Sequence, residues 1–336
     1  MPAHAWFNRE WYGQRKPRWW LVPLSALYGA ISAMRRFTYT RHWRRSVQLQ
    51  RPVVVIGNLT VGGTGKTPLV CWLSEQLVKR GASPGIVTRG YGGAAEVLRL
   101  VQAADHPDMV GDEPLLLYRR THRPVAVGRD RPAAAQLLIE AGCDVILSDD
   151  GLQHYALRRD CEIVVIDGER RFGNGSLLPA GPLRESPARL ASVDAVVVNG
   201  GPGHLQGANE LRMDLDGTVA VSLIGNSARS LTEFAGQTVH AIAGIGNPPR
   251  FFELLRSKGI EVIEHPFADH ATLGSDDICF ADARPVLMTE KDAVKCGKIA
   301  GSQHWFVPVA ANFEPRDAET LLGIVVDAIG RRLARA

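Results

Sequence analysis

The sequence predicts an α/β protein with a mostly parallel sheet, helices on both of its faces, a second and smaller α/β lobe, and an N-terminal helix. Three observations predict it: short apolar runs alternate with helical stretches, one run leads into a glycine-rich loop, and the first fifty residues are basic and rich in tryptophan. Strands that alternate with helices favour parallel sheets, because each crossover helix packs on a face of the sheet. A chain of 336 residues can bury a core in two lobes.

Residues 1–50 form a distinct N-terminal segment. They carry nine Lys and Arg residues against one acid, and four of the seven tryptophans lie among the first twenty residues. The mostly apolar run 19–34 would reach about 24 Å as a helix, which is short of the roughly 30 Å hydrocarbon core of a bilayer. Tryptophan prefers the membrane interface, and flanking Arg and Lys bind anionic headgroups. The segment therefore predicts a helix at a membrane surface, contacted through residues 1–45.

Two other interpretations of this segment stay open at the level of sequence. A cleaved signal peptide is one, although the apolar run is long for such a peptide and a nucleotide-binding pattern follows it. A helix packed in the protein core, with a solvated basic flank, is the other. The rest of the chain is mildly acidic, so the charge pattern favours a local anionic partner and argues against a nucleic-acid surface.

The second element is a phosphate loop. The apolar, β-branched run 53–57 predicts a buried parallel strand, and residues 68–80 predict a helix that ends at Gly81. Backbone N–H groups of the intervening loop and the positive end of the helix are suited to bind phosphate, as in P-loop NTPases. The predicted binding residues are Thr60, Val61, Gly62, Gly63, Thr64, Gly65, Lys66 and Thr67, with Lys66 at the β/γ oxygens and Thr67 as a Mg²⁺ ligand.

The bound nucleotide is predicted to be ATP. Thr60 stands where the general phosphate-loop pattern has its first glycine, so the loop departs from that pattern at one position. GTPases need an [NT]-K-x-D segment that recognises guanine. The nearest candidate, residues 289–292, has the wrong spacing.

Acidic residues near strand ends supply candidates for metal binding and proton transfer. Asp149 and Asp150 follow the apolar run 145–148, and carboxylates at the C-terminal end of a strand lie where open α/β sheets bind ligands. Asp112 precedes an apolar helical stretch, and it fits either a helix N-cap or a general base for an attacking hydroxyl. The sequence does not separate these two roles.

Three further segments contain candidate site residues. Tyr91 lies within a glycine-rich loop after the second strand, where backbone can approach a ligand closely. Asp269 and His270 are adjacent in a polar segment, and an acid beside a histidine can tune a proton carrier. Arg129 and Arg131 follow the apolar run 125–127 and could neutralise a transferring phosphate.

The predicted domains are an N-terminal segment, 1–50, a nucleotide-binding domain, 51–205, and a second lobe, 206–336, that closes the active-site cleft. The pattern of strands and helices restarts after the Gly/Pro-rich stretch 199–207, and the chain ends in a predicted helix, 315–334. Five cysteines without a CxxC pair suit a reducing compartment and argue against a disulfide framework.

The chain resembles the tetraacyldisaccharide 4′-kinases of lipid A biosynthesis along most of its length. The similar segments are GNLTVGGTGKTP (57–68), TRGYGG (88–93), GDEPLLL (111–117), SDDGLQHY (148–155), VIDGERRFGNGSLLPAGPLRE (165–185), AGIGNPPRFF (243–252), ADH (268–270) and MTEKDAVK (288–295). The family shares the threonine at position 60 and the membrane-associated N-terminal segment. The resemblance thus removes the objection that Thr60 raises.

The resemblance implies a two-lobed kinase that transfers the ATP γ-phosphate to the 4′-hydroxyl of a tetraacylated disaccharide 1-phosphate and makes lipid IVA. It implies that Asp112 is the base and is paired with His270, which Asp269 neighbours. The metal would lie among Thr67, Asp149, Asp150 and Glu185, while Tyr91 and Arg131 would line the site beside Lys66.

The implied partners are the lipid-linked disaccharide and the membrane, at the cytoplasmic face of the bacterial inner membrane, with no nucleic acid and no obligate protein partner. The principal alternative is a membrane-associated P-loop ATPase that acts as a switch, without a lipid acceptor. A nucleic-acid-binding ATPase is the third class considered. The interleaving of basic residues with a long apolar run argues against it.

Overall fold

A computed structural model of the chain describes residues 10–13, 16–90, 98–201, 210–225 and 227–335. Its strands are β1 (Val53–Gly57), β2 (Pro84–Thr88), β3 (Arg99–Leu100), β4 (Val125–Val127), β5 (Val145–Asp149), β6 (Cys161–Asp167), β7 (Ala195–Asn199), β8 (Glu210–Asp216), β9 (Val219–Ser222), β10 (Ala228–Ser230), β11 (Thr238–Ala243), β12 (Glu261–Pro266), β13 (Val286–Thr289), β14 (His304–Val307) and β15 (Ala310–Phe313). Its α-helices are α1 (Val22–Thr40), α2 (Lys66–Lys79), α3 (Pro107–Val110), α4 (Asp112–Thr121), α5 (Arg131–Glu140), α6 (Pro248–Ser257), α7 (Ser275–Ile278), α8 (Glu290–Cys296) and α9 (Pro315–Leu333).

The larger sheet has nine strands in the order β15-β8-β7-β6-β1-β5-β2-β4-β3. The strands from β8 to β4 are parallel, and β15 and β3 pair antiparallel at the two edges. The predicted mostly parallel sheet is confirmed. Parallel order brings the C-terminal ends of β1 and β5 to one edge, where Ile56 is paired with Asp149.

Helices cover both faces of this sheet, as predicted. On one face, Leu69 and Leu73 of α2 pack in the same buried cluster as Leu321 of α9. On the other face, Leu138 of α5 packs with Ile146. All five residues of β1 are buried, which explains why its sequence is a continuous apolar run.

The second lobe contains a six-stranded sheet in the order β10-β9-β14-β13-β11-β12. β14, β13, β11 and β12 are parallel, while β9 and β10 are added antiparallel. Its largest fully buried side chains include Phe234 and Phe252, which pack in one core cluster with Leu255 of α6. This lobe therefore has its own hydrophobic core.

The structure corrects the predicted domain boundaries of 51–205 and 206–336. β8 extends the larger sheet beyond β7, and the chain returns to that sheet after β14, so that β15 pairs with β8. Ala311, Leu321 and Val325 belong to the buried cluster of the larger sheet. The predicted C-terminal helix therefore exists, but it packs on the first lobe, because its apolar stripe completes the core there.

The N-terminal helix α1 lies against the first lobe, with most of its residues exposed. Ser25 is its buried residue, and its hydroxyl donates to the carbonyl of Leu177 at 2.8 Å. The exposed large apolar side chains of this region include Trp19, Leu24, Leu27, Ile31, Met34 and Phe37. The alternative of a core-packed apolar run is therefore wrong for these side chains. None of the helices in the described part of the chain is long and apolar enough to span a membrane.

Candidate active site

The phosphate loop connects β1 to α2, and two of its glycines have backbone conformations that other residues rarely adopt. Gly62 has φ 103° and Gly65 has φ 93°. A Cβ on Gly65 would also lie 2.4 Å from Nδ2 of Asn199, so a larger residue does not fit. Thr60 forms an antiparallel bridge with Leu183. An extended position of this kind does not require glycine, which explains the departure from the general pattern.

Lys66 and Asp150 face each other across the phosphate loop. Lys66 Nζ lies 3.5 Å from Asp150 Oδ1, and Arg184 Nη1 lies 3.0 Å from Asp150 Oδ2. Burial raises the pKa of Asp150, but the charges of Lys66 and Arg184 outweigh it and hold this pKa well below its usual range. Asp150 is therefore a carboxylate whose charge two cations already compensate.

Asp149, the last residue of β5, differs from Asp150 in its surroundings and in its pKa. It is buried, and its Oδ1 has no hydrogen-bond partner among the residues that the structure describes. Burial raises its pKa to about 7, with Glu113 adding to the rise and Lys66 opposing it. A buried carboxylate oxygen without a partner is costly unless another group binds it.

Arg131 is fixed beneath this strand end. Its guanidinium donates to Ser148 Oγ at 2.8 Å and to the carbonyl of Asp149 at 2.6 Å, both through Nη1. It is 3% exposed and lines the cleft. Burial lowers its pKa, and the carboxylates of Asp150 and Asp149 oppose that effect.

Glu185 lies at the same cleft, within a polar network. Tyr155 donates its hydroxyl to Glu185 Oε1 at 2.7 Å, and Arg189 Nε lies 3.6 Å from Oε2. Within the described residues, no group of three or more His, Cys, Asp or Glu side chains is gathered as a metal site. The three predicted metal carboxylates, Asp149, Asp150 and Glu185, are therefore not gathered in advance as a metal site.

Asp112 and His270 meet across the two lobes, although 158 residues separate them in sequence. His270 Nδ1 lies 3.1 Å from Asp112 Oδ2 and 3.2 Å from Oδ1. Burial raises the pKa of Asp112, but the hydrogen bond from His270 and the charge of Lys291 outweigh it and lower this pKa to about 2. Burial lowers the pKa of His270, but the hydrogen bond with Asp112 and the charges of Asp269 and Asp112 together outweigh burial and raise this pKa. The two side chains therefore titrate as a linked pair.

Asp112 is the first residue of α4, and the N-cap position belongs to Gly111. Asp112 Oδ1 accepts a hydrogen bond from the backbone N–H of Glu113 at 2.9 Å. The side chain thus contributes to the start of the helix as well as to the pair with His270, so the two roles left open by the sequence are compatible.

Lys291, in α8, is surrounded by acids from both lobes. Its Nζ lies 2.9 Å from Glu113 Oε1 and 2.9 Å from Asp269 Oδ1. The same atom lies 3.3 Å from His270 Nε2. Burial lowers the pKa of Lys291, but these neighbouring carboxylates outweigh it and raise this pKa above its usual range. Lys291 therefore remains a cation at the junction of the lobes.

Arg170 joins the second lobe directly to the phosphate loop. Its two terminal nitrogens donate to the carbonyls of Gly246 and Gly63, each at 2.6 Å, and its Nε donates to Asp167 at 2.9 Å. A Cβ on Gly246 would lie 2.1 Å from the backbone N of Gly63. The glycine at position 246 is thus required by the close approach of the two lobes.

One cleft of about 1260 Å³ contains these groups. Its lining includes the phosphate loop, both lobes and one side of α1, represented by Tyr28, Ile31 and Arg35. The predicted residues that line it are Val61, Gly62, Gly63, Thr64, Gly65, Lys66, Thr67, Arg131, Asp150, Glu185, Asp269 and His270. Asp112 joins the cleft through His270. Tyr91 lies outside the described residues.

Sequence reasoning missed several residues of this cleft. Glu113, Arg184 and Lys291 each stand in, or next to, a segment that carries the resemblance, but their charges alone gave no indication of a role. Arg170 offered no signal either, because its acceptors are backbone carbonyls distant in sequence.

Three features of this cleft define a P-loop phosphotransferase. They are a glycine loop between a buried strand and a helix, a lysine at the end of that loop, and an acid–histidine pair. The sequence profile of the Tetraacyldisaccharide-1-P 4'-kinase family matches residues 17–326. The chain belongs to this family, and it is therefore a kinase that transfers phosphate to a hydroxyl group.

Curated relatives and a solved structure agree with this assignment. A tetraacyldisaccharide 4'-kinase of Alkalilimnicola ehrlichii is 52% identical over 92% of this chain and 93% of the relative. One of Methylobacillus flagellatus is 49% identical over 94% and 95%. The crystal structure of an "apo" form of LpxK from Aquifex aeolicus in complex with ATP has a TM-score of 0.76 and 25% identity, and the match covers 91% of this chain and 98% of that one.

Proposed function

We propose that the chain transfers the γ-phosphate of ATP to the 4′-hydroxyl of a tetraacylated disaccharide 1-phosphate, making lipid IVA for lipid A. The observation that carries this proposal is the Asp112–His270 pair beside a phosphate loop in one cleft. A kinase needs both parts together, because one binds the phosphate donor and the other faces the acceptor hydroxyl. The family supports the acceptor, and the relative solved with ATP supports the donor.

Asp112 is assigned the role of base for the acceptor hydroxyl. With a pKa of about 2, it is ionised at neutral pH and can accept the hydroxyl proton as the oxygen attacks. Phosphoryl transfer proceeds through a loose transition state, so a weak base that orients the hydroxyl is sufficient. His270 donates to Asp112 and fixes its carboxylate in place.

Lys66 and Arg131 are assigned to the transferring phosphate. Lys66 exchanges its contact with Asp150 for the phosphate oxygens, while Arg131 supports the strand end beneath them. Cations placed in advance where charge develops stabilise the transition state without reorganisation.

Mg²⁺ fits this site at Asp149 and Thr67. Among the described residues, Asp149 Oδ1 is buried without a hydrogen-bond partner. Glu185 Oε2 also has none, but the Nε of Arg189 lies 3.6 Å from it, and Asp150 is paired with Lys66 and Arg184. Carboxylate and hydroxyl oxygens are hard ligands of the kind Mg²⁺ prefers. The ion would neutralise charge on the phosphate oxygens, with Asp149 as its direct protein carboxylate and Asp150 and Glu185 at its periphery.

Asp149→Asn should raise the free Mg²⁺ concentration that gives half-maximal rate by at least about tenfold, because the amide is neutral and binds the ion weakly. Initial rates measured across a Mg²⁺ titration at fixed ATP test this. Asp144→Asn is a matched control near the start of the same strand, where the amide can still accept from Ser83 N. An unchanged Mg²⁺ requirement in Asp149→Asn would assign the ion elsewhere.

The membrane surface is the second proposed partner, at the cytoplasmic face of the bacterial inner membrane. The exposed apolar side chains of α1 include Leu24, Leu27 and Ile31, and Ile31 also lines the catalytic cleft. An acceptor held by acyl chains in the bilayer can thus present its sugar to the cleft without leaving the lipid. The reduced state suited to five free cysteines supports a cytoplasmic site.

The double substitution Leu27→Glu and Ile31→Glu should lower binding to anionic phospholipid vesicles by at least about tenfold, since each exposed aliphatic side chain contributes roughly 1–3 kcal/mol when it is buried in lipid. Co-sedimentation measures this without reference to activity. Val326→Glu provides a control, because Val326 is an exposed apolar residue of α9. Equal sedimentation of all variants would contradict a role for α1 in membrane binding.

The reaction itself is tested with ATP labelled in its γ-phosphate and purified disaccharide 1-phosphate lipid in mixed micelles. Label in the lipid, dependent on Lys66, is expected. Hydrolysis of ATP without labelled lipid would instead favour the alternative of a membrane-associated ATPase switch.

A further inference from the structure

Lys291 is in direct contact with the proposed base and its histidine, although neither the sequence motifs nor the proposed reaction gives it a role. Its ammonium group lies 3.3 Å from His270 Nε2 and 4.0 Å from Asp112 Oδ2. Two carboxylates, Glu113 and Asp269, hold it from opposite lobes at 2.9 Å each. With a side chain 13% exposed, Lys291 has little freedom to leave this position.

The chemistry of these groups determines where the imidazole proton lies. A lysine ammonium has three N–H donors and no acceptor, so His270 Nε2 must accept in its contact with Lys291. The single proton of a neutral imidazole then lies on Nδ1, which donates to the Asp112 carboxylate. The other tautomer would place a proton between Nε2 and an ammonium group and would leave the carboxylate facing a lone pair.

We infer that Lys291 is a positioning residue that holds His270 as the Nδ1–H tautomer, so that the histidine donates to Asp112 and keeps this carboxylate ionised and oriented for the acceptor hydroxyl. The inference rests on the roles proposed above for Asp112 and His270, and it adds a third member to that pair. Lys291 acts through His270 and Asp112 and needs no contact with either substrate.

Lys291 also limits how strongly His270 is protonated. Without it, the imidazole would lie between two acids, because Asp269 Oδ1 is 3.8 Å from Nε2 while Asp112 binds Nδ1. Two flanking carboxylates would favour an imidazolium bound to both. Lys291 binds Asp269 and repels a proton on Nε2, whereas Lys295, 3.7 Å from Asp112, provides a second cation on the carboxylate side only. Removing Lys291 should therefore raise the pKa of His270.

The wild-type chain allows a direct test of the tautomer. Histidine nitrogens labelled with ¹⁵N distinguish protonated from unprotonated ring positions, and His270→Gln identifies the resonance. At a pH above the raised pKa of His270, we expect a protonated Nδ1 and an unprotonated Nε2. A proton on Nε2 under the same conditions would overturn the inference, whether or not any Lys291 variant folds.

The pH profile of kcat supplies a second readout. Lys291→Met removes the charge but keeps an unbranched side chain, and we expect the acidic limb of its profile to move up by about 1–2 pH units, because protonation of the pair is no longer opposed by a cation at close range. Lys291→Arg keeps a cation and should restore most of the wild-type limb. Lys298→Met, which removes an exposed lysine just after α8, is the matched control and should leave the limb unchanged.

The outcomes separate this inference from the proposed function. If Asp112→Asn and His270→Gln both lower kcat but Lys291→Met keeps the wild-type acidic limb, the inference about Lys291 is wrong and the roles of the pair stand. If Asp112→Asn and His270→Gln keep full activity, the roles of the pair are wrong, and the inference that depends on them fails for that reason. If the acidic limb of the kcat profile moves up in Lys291→Met and returns in Lys291→Arg, the result supports both the inference and the proposed roles of the pair.

Discussion

Asp112→Asn should lower kcat by about 10²–10⁴-fold, while the KM for ATP changes little. The substitution removes the negative charge that faces the acceptor hydroxyl, and general bases contribute effects of this size. Steady-state transfer of labelled phosphate to the lipid acceptor measures it. Asparagine is preferred to alanine, because its side-chain oxygen can still accept from Glu113 N at the start of α4. A loss of activity then reports on the charge and not on the helix.

The control for this substitution is Asp108→Asn, which changes an exposed acid in α3 and should leave kcat unchanged. His270→Gln should have a smaller effect. Its loss should be strongly non-additive with that of Asp112→Asn, because the two side chains act as one hydrogen-bonded unit. Fully additive losses would show that they act independently. If Asp112→Asn lowered the thermal stability but retained kcat, Asp112 would have only its structural role at the start of α4.

The sequence was sufficient to predict the phosphate site, because its determinants are local. A fully buried run at 53–57, glycines where φ is positive, and the helix that follows occupy fewer than thirty consecutive residues. The position of Asp149 and Asp150 followed from a general property of parallel sheets, whose strand ends meet at one edge. Both predictions depend on neighbours in sequence or on a repeating geometry, so a single sequence was enough.

The contacts between residues of the two lobes could not be predicted from the sequence in this way. The pairing of Asp112 with His270 was expected only through the resemblance, since nothing in their own spacing indicates contact. Lys291 lay in a segment that matched a guanine-binding motif poorly and that carried part of the resemblance, but neither observation gave this lysine a role. Its acidic neighbours come from two distant places in the chain, residues 112–113 and residue 269. Such contacts are set by how the two lobes pack, a property that no short pattern encodes.

The predicted boundary between the lobes differs from the structure for a related physical reason. β15 is a strand of four residues, AANF, in which one residue is buried, so its alternation is too short to predict a sheet. Its register with β8, and the packing of Leu321 in the core of the larger sheet, show where the C-terminal segment belongs. A restart of the strand–helix pattern near residue 200 indicated a second lobe, but it did not indicate that the chain would return to the first.

Lys66→Ala should lower kcat by about 10³-fold, the effect expected when a cation that stabilises transferring phosphate is lost. Lys66 begins α2 directly after the loop, and its ammonium group is held toward the cleft by Asp150. The charge of the phosphoryl group spreads over its oxygens in the transition state, so the loss should affect kcat more than the KM for ATP. Transfer of labelled phosphate, with ATP binding measured separately, distinguishes the two.

Lys79→Ala is the matched control for this substitution. Lys79 lies in the last turn of the same helix, is 58% exposed and pairs with Glu75 on the surface, so its removal should leave kcat nearly unchanged. Lys66→Ala also leaves Asp150 with Arg184 as its remaining close cation, and Arg184 keeps that carboxylate compensated. The folded structure should therefore tolerate the substitution. A near-normal kcat in a folded Lys66→Ala variant would remove the phosphate-loop assignment.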